Sequence, residues 1–175
     1  MRDADRPPLV RLTWRVVLTF LLLDALLTAV VVAAIVSFAF AAPPTPPPPE
    51  AVAVRAVLDA QVEAWNRGDL DGFMTGYWKD DRLTFYSGDA VTRGWQATLD
   101  RYRKRYQADG KEMGRLEFRE VQVEPIGDAA ALVRGRWHLT MRDGKAPNGL
   151  FTLLFRRIEG QWRIVHDHTS SGENK

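Results

Sequence analysis

Hydrophobic residues are unevenly spread along the 175-residue chain, and their spacing divides it into three parts. A nearly continuous apolar stretch covers 16–42, a proline-rich stretch covers 43–49, and apolar and polar residues alternate in short periods over 50–175. The apolar stretch contains a single charged residue, Asp24, and as a helix it would be about 40 Å long, enough to cross a bilayer. The pattern therefore predicts a transmembrane helix, a stiff proline-rich spacer and one folded domain.

The charges around the apolar stretch predict its orientation. Four arginines precede it, and the next basic residue after it is Arg55. Because positively charged flanks stay in the cytoplasm, 1–15 is predicted to be cytoplasmic and the domain at 50–175 extracytoplasmic, held at the cell membrane by a single-pass anchor. Secretion after signal cleavage near Ala42 is the alternative, since Ala39-Phe40-Ala41 resembles a cleavage site, although a signal peptide has a shorter apolar core.

Helical periods occupy the first half of the domain. A stripe of apolar residues at spacings of three and four predicts a helix over 51–66, and it consists of Val54, Val57, Leu58, Val62 and Trp65. Asp69 is suited to cap a second helix that runs to about Trp78. A third helix is predicted over 95–107, after a short strand over 82–86.

The second half of the domain alternates with the period of strands. The apolar parity changes between Phe118 and Val121, which predicts a β-bulge near Arg119-Glu120 and a bent strand. The next strand covers 129–142, with its apolar residues on one face and its arginines and His138 on the other. Strands over 150–157 and 161–169 follow, joined by a turn at Glu159-Gly160.

This order of elements predicts the fold class. The domain is expected to be α+β, with a curved antiparallel sheet and three helices of its first half packed on one face. The other face is expected to form a homodimer, because it carries Leu132 together with Arg134, Arg136, His138 and Thr140 and would otherwise be a long solvated sheet.

Composition narrows the chemistry. The chain has no cysteine, which excludes disulfides, a thiolate nucleophile and cysteine-ligated metal sites. It has 24 basic and 22 acidic residues and no long basic run, so nucleic acid is not an expected partner. Phosphate-binding and dinucleotide-binding glycine motifs and a serine nucleophile elbow are missing from the sequence, and no cofactor is predicted.

Two stretches carry a family resemblance. AWNRGDLDGFMTGY at 64–77 and LFRRIEGQWRIVHDHTSS at 154–171 resemble the SnoaL-like branch of the nuclear transport factor 2-like superfamily. The second stretch also resembles the association domain of calcium/calmodulin-dependent kinase II, a module that builds oligomers. Leu153 stands where that association domain carries a pocket arginine, so its particular anion pocket is not expected here.

The resemblance implies a cone with an open mouth. Members of this fold bind small hydrophobic molecules, isomerise steroids, cyclise polyketides or only dimerise. In this fold the helices and the first strand cover the mouth of the cone, so residues on these elements are expected to line a pocket. The candidate ligand-binding residues are Tyr77, Trp78 and Tyr102 from these elements, with His168 and Trp137, whose strand parity points them to the same cavity.

The last strand carries the candidate catalytic chemistry. If alternation is unbroken, His166 and His168 share the face of Trp162 and Ile164 and point into the cavity. His166 with Tyr86 is then the candidate acid–base pair. No carboxylate lies at an apolar position of the predicted strands, so a carboxylate base is not expected.

Other interpretations of these side chains stay open. The histidines could be buried residues satisfied by a neighbouring hydroxyl or carbonyl, and most of the aromatic rings could be core. A metal held by the two histidines would need a third ligand, and His138 belongs to the opposite face, so no metal is predicted. Two functions follow: a membrane-anchored domain that binds a small apolar molecule, with or without lyase-type or isomerase-type chemistry, or a non-catalytic dimerisation module.

Overall fold

The computed structural model describes residues 14–39, 46–108 and 112–172. The chain divides into two units, 1–46 and 47–175. Helix α1 (Trp14–Ala39) belongs to the first unit, and its side chains described over 18–32 are all exposed.

The predicted membrane anchor coincides with α1 over most of its length. A search of the described residues nevertheless finds no helix with the length and apolarity that a membrane span requires. Residues 1–13 of the predicted cytoplasmic segment, the alternative cleavage site near Ala42 and the spacer residues 43–45 lie outside the described residues. The anchor therefore stays a prediction from the sequence.

The first two helices of the domain follow the apolar stripe and the helix cap that the sequence predicts. Helix α2 (Pro49–Asn66) starts on a proline and buries the predicted stripe, with Val54 and Leu58 almost fully enclosed. Helix α3 (Leu70–Met74) is capped by Asp69, whose carboxylate accepts the Gly72 N–H at 2.7 Å.

Helix α3 ends earlier than the predicted boundary near Trp78. The backbone at 76–78 bonds to the last strand instead: Ile164 N–H donates to the Gly76 carbonyl and Trp78 N–H donates to the Ile164 carbonyl, each at 2.9 Å. These two bonds place Tyr77 beside Ile164 in a parallel bridge. Tertiary pairing thus replaced a helical turn that local sequence favoured.

The remaining elements form a six-stranded sheet and one more helix. In chain order they are β1 (Thr84–Ser87), β2 (Ala90–Arg93), α4 (Trp95–Tyr106), β3 (Arg115–Ile126), β4 (Ala130–Thr140), β5 (Asn148–Ile158) and β6 (Gln161–Thr169). The strand order is β2-β1-β6-β5-β4-β3. The predicted α+β class is confirmed, with a curved, unclosed sheet and the helices on one side.

One pairing departs from the predicted antiparallel sheet. Strand β1 runs parallel to β6, with Phe85 opposite Asp167, while all other pairs in the sheet are antiparallel. Local turns fix the direction of hairpin neighbours, but β1 and β6 are separated by four other elements of the sheet and helix α4, so no turn sets their direction. The short strand β2, which pairs with β1 through a hairpin, was not predicted.

The predicted bulge in β3 is confirmed. The register against β4 shifts between Arg119 and Gln122, and Glu120 has a positive φ of 52°. Val121 and Val123 pack against the core beyond the shift, as Leu116 and Phe118 do before it. Apolar side chains on both flanks therefore stay on the face that packs against the helices, which we call the inner face.

Candidate functional site

A second bulge, in β6, determines which side chains enter the domain. Leu154 of β5 pairs with His166 and the next residue, Phe155, pairs with Ile164, so Val165 is an extra residue without a partner in β5. The extra residue reverses the alternation of the strand. Ile164 and Asp167 both lie on the inner face, at 0% and 3% exposure.

The structure therefore corrects the expected orientation of the two histidines. His166 and His168 lie on the opposite face of β6, which we call the outer face, because the bulge precedes them. His166 Nδ1 is 2.6 Å from the Thr84 hydroxyl, and the Tyr86 ring packs edge-on against both imidazoles, with centroids 5.0 and 6.1 Å away. Burial, with a smaller effect of His168, lowers the pKa of His166.

The inner face encloses a cavity of about 80 Å³ between the sheet and the helices. By the usual requirement of about 10 to 15 Å³ for each water, this is room for several waters or a small ligand. Aromatic rings form much of its wall, and they belong to Trp65, Phe73, Tyr77, Phe85, Tyr102 and Trp137. None of the three histidines lines it among the described residues.

Asp167 supplies the carboxyl group of this cavity. The Tyr77 hydroxyl donates to its Oδ2 and the Thr169 hydroxyl donates to its Oδ1, both at 2.7 Å. Burial raises the pKa of Asp167 to about 6, against the opposing effect of these two hydrogen bonds and of the His168 charge. A carboxyl with this pKa exchanges its proton close to neutral pH.

Two tyrosines extend the polar group. The Tyr77 and Tyr102 hydroxyl oxygens are 3.5 Å apart, and both rings line the cavity. Burial, and then the neighbouring Asp167 charge, raise the pKa of both phenols well above the usual value, so both stay protonated and able to donate. Asp167, Tyr77 and Tyr102 form what we call the polar floor of the cavity.

Three of the predicted ligand-binding residues come together in this cavity: Tyr77, Tyr102 and Trp137. Trp137 is held by a hydrogen bond from its Nε1 to the Ser170 carbonyl at 3.0 Å. Gly149 permits this contact, since a Cβ there would collide with the same carbonyl and with the indole.

The other predicted site residues lie elsewhere. Trp78 stacks under the Arg82 guanidinium, 4.3 Å from its ring centroid, and does not line the cavity. Tyr86 belongs to the histidine cluster of the outer face. Within the described part of the chain, no three metal-ligating side chains come together.

Asp167 is the residue that sequence reasoning missed. Unbroken alternation along the strand places Asp167 on the side opposite Trp162 and Ile164, and neither its own sequence position nor that of Thr169 indicates a bulge. Only the pairing of β6 with both β5 and β1 reveals the change of face.

Comparison with family models identifies the family to which the domain belongs. The family model of the SnoaL-like domain matches residues 54–172. The chain belongs to the SnoaL-like domain family. The resemblance found in the sequence is thereby confirmed for nearly all of the domain. A search of the curated proteins finds no match.

Solved structures place this SnoaL-like domain in the nuclear transport factor 2-like superfamily. An NTF-2 like protein of unknown function from Shewanella oneidensis MR-1 is 41% identical, covers 67% of this chain and 95% of its own, and has a TM-score of 0.62. A protein from Thiobacillus denitrificans assigned as a calcium/calmodulin-dependent protein kinase type II association domain is 27% identical, covers 75% and 100%, and has a TM-score of 0.57. An NTF2-like superfamily protein from Salmonella enterica, 19% identical with 69% and 89% covered and a TM-score of 0.55, shares the fold.

Proposed function

We propose that the SnoaL-like domain binds a small, largely apolar molecule that carries a polar oxygen, in the cavity above the polar floor. The observation that carries this proposal is the Asp167 carboxyl, which is 3% exposed and faces an aromatic cavity. Such a cavity with a few convergent polar groups is the usual form of a small-molecule site.

The cost of burying Asp167 supports a functional role. Removing a carboxylate from water is unfavourable unless hydrogen bonds or a cation compensate. Two hydroxyls bond to Asp167, and no ion pair to it forms among the described residues. If this position only filled the core, an apolar side chain would do so without the free-energy cost of removing a carboxylate from water. A perturbed carboxyl in a cavity is instead a typical binding or acid–base group.

The polar floor also has the parts for proton transfer on a bound ketone. Ionised Asp167 would take a proton from the carbon next to the carbonyl. The electron pair of the broken C–H bond would form the C=C bond of an enolate, and the π pair of the carbonyl would move onto its oxygen. The Tyr102 hydroxyl would donate a hydrogen bond to this oxygen, and Asp167 would return the proton to carbon. Asp167 thus replaces the pair His166 and Tyr86 in the predicted role.

Cyclohexanone in deuterated water tests both parts of the proposal on the full chain. Binding is measured by calorimetry, and deuterium uptake next to the carbonyl by NMR. We expect Asp167→Asn to abolish catalysed uptake and His168→Asn, the matched change on the outer face, to leave uptake and binding unchanged. Catalysed uptake that survives Asp167→Asn, or that fails with His168→Asn, would place the chemistry elsewhere. Failure of cyclohexanone to bind would contradict the proposed ketone chemistry, and failure of the aromatic probes described below as well would contradict the cavity proposal itself.

A second candidate function, assembly, is favoured by the outer face of the sheet. Leu132 and Leu154 pair there across β4 and β5, and Leu150 is 51% exposed. We propose that this face forms a homodimer, which would join apolar side chains that are now in water. Sedimentation of the full chain should give a dimer that Leu150→Glu weakens and Val52→Glu, a change at a similarly exposed position on α2, does not. A monomeric wild-type protein would exclude the dimer.

We also propose that 16–42 anchors the domain at a membrane, on the strength of the apolar run and its flanking arginines. Cell fractionation tests this. The full chain should stay with membranes after a carbonate wash. A mature protein that begins near Ala42 and is recovered in the soluble fraction would show cleavage instead.

A further inference from the structure

Two arginines of α4 lie at the same cavity. Arg101 and Arg105 both line it, on the helix that also supplies Tyr102. Residues four apart lie on the same side of a helix, with Cβ atoms about 5 to 6 Å from each other. The two guanidinium groups therefore flank one part of the cavity wall, where Arg101 is half-buried and Arg105 is exposed.

Within the described part of the chain, neither guanidinium is paired with a carboxylate. Over 46–108 and 112–172, no carboxylate oxygen lies within 4.0 Å of a nitrogen of either side chain. They lie against aromatic rings instead, with Arg101 Cζ 5.5 Å from the Phe85 centroid and Arg105 Cζ 5.5 Å from the Tyr106 centroid. Arg103 of the same helix differs, because its Nη2 lies 2.9 Å from Asp71 Oδ1. Neither residue of this ion pair lines the cavity.

The carboxyl of the cavity does not compensate these charges. Asp167 is bonded through both oxygens to the hydroxyls of Tyr77 and Thr169, and neither oxygen lies within 4.0 Å of a guanidinium nitrogen of the described residues. The described wall of the cavity therefore has two cations and one carboxyl that is occupied elsewhere. A guanidinium presents its N–H donors as a rigid planar fork, which suits a planar acceptor.

We propose that the ligand of this cavity is a small planar carboxylate, with its carboxylate between Arg101 and Arg105 and its apolar body among the aromatic rings. This inference rests on the proposed binding function. Carboxylate geometry matches the planar fork of a guanidinium, and charge-assisted bonds of this kind are stronger than neutral ones. A cavity of about 80 Å³ suits a single ring rather than a larger skeleton.

Benzoate and benzamide test the inference as an ionic and a neutral molecule of nearly equal shape. Calorimetry on the full chain at about pH 7 should give a Kd for benzoate at least roughly tenfold lower than for benzamide. The double change Arg101→Gln with Arg105→Gln should remove this preference, so that the two Kd values of the variant differ by less than about twofold. Arg103→Gln removes a charge from the same helix outside the cavity and should not affect either Kd.

The other outcomes contradict either the carboxylate assignment or the proposed binding function. Equal binding of the two probes, or benzoate binding that the double variant retains, would overturn the carboxylate assignment while leaving the cavity proposal intact. Tighter binding of phenyl phosphate than of benzoate would replace the carboxylate by a phosphate. Failure of both benzoate and benzamide to bind, together with failure of cyclohexanone, would contradict the binding function. Circular dichroism of each variant checks that it is folded.

Discussion

The two faces of the last strand carry ionisable side chains in opposite surroundings. Asp167 faces the aromatic cavity, where burial raises its pKa to about 6. His166 and His168, its direct neighbours, lie on the outer face, where Thr84 and Tyr86 contact them and His168 is exposed. One extra residue in the strand, Val165, separates these two outcomes. A bulge thus selects which of three adjacent ionisable groups is removed from water.

The largest expected difference between the faces is in the pH dependence of stability. The pKa of Asp167 is raised from 3.8 to about 6 in the folded protein, so the folded state binds more protons than the unfolded state in this range. The free energy of unfolding should therefore fall by about 3 kcal/mol as the pH rises from about 4 to about 7. Urea denaturation across this range should show the loss as a difference between the wild-type protein and Asp167→Asn, because the lowered pKa of His166 acts in the opposite direction in both.

His168→Asn is the matched change on the outer face for this experiment. It should preserve the loss of stability above about pH 4, because Asp167 stays buried. The same pH profile in the wild-type protein and in Asp167→Asn would mean that the Asp167 carboxyl is solvated, and the contrast between the faces would disappear.

Two tyrosines provide the next comparison. Tyr77→Phe removes the hydroxyl that donates to Asp167 and should lower the free energy of unfolding by about 2 kcal/mol at neutral pH, where the carboxyl is ionised. Tyr86→Phe, on the outer face, should cost less than about 0.5 kcal/mol. Chemical denaturation of the two variants measures both values. Equal costs would show that the polar floor has no special stability role.

Thr84 tests the outer face directly. Thr84→Val keeps the shape of the side chain but removes the hydroxyl that bonds to His166 Nδ1. We expect a loss of about 1 kcal/mol, typical of a partly exposed hydrogen bond, and no change in cyclohexanone or benzoate binding. Weaker binding of either probe would connect the outer face to the cavity.

The smallest effect concerns the two histidines. Burial, and then the neighbouring His168, lower the pKa of His166 from its usual 6.5. His168→Asn removes that positive neighbour, so the pKa of His166 should rise while remaining below 6.5 because of burial. NMR titration of the imidazole signals measures it. An unchanged pKa in the variant would show that the two rings do not interact electrostatically.

Most of the fold was predictable from local periods. The stripe on α2, the cap at Asp69 and the turn at Glu159-Gly160 are each encoded by adjacent residues, and the structure confirms them. The end of α3 and the parallel pairing of β1 with β6 were not predictable, because both depend on residues far away in the chain. Bonds from 76–78 to Ile164 decided the first of these.

The candidate site shows the same division. Tyr77, Tyr102 and Trp137 were predicted to line the cavity, since aromatic residues on these elements could be located from the family resemblance. Asp167 was not predicted, and neither were the two arginines of α4 at the cavity, because the exposure and pairing of a charged side chain are properties of the packed domain. Their sequence context is that of ordinary surface charges.

The two bulges show what the sequence by itself determined and what only the tertiary structure decided. In β3, apolar residues lie on both sides of the bulge. The change in parity of the apolar positions between Phe118 and Val121 therefore revealed the extra residue. In β6, apolar residues end at Val165 and ionisable residues follow on both faces. Hydrophobic burial fixes a strand's phase only where apolar side chains mark the inner face. Beyond Val165, the pairing with β1 and β5 and the hydroxyls of Tyr77 and Thr169 placed Asp167 inside.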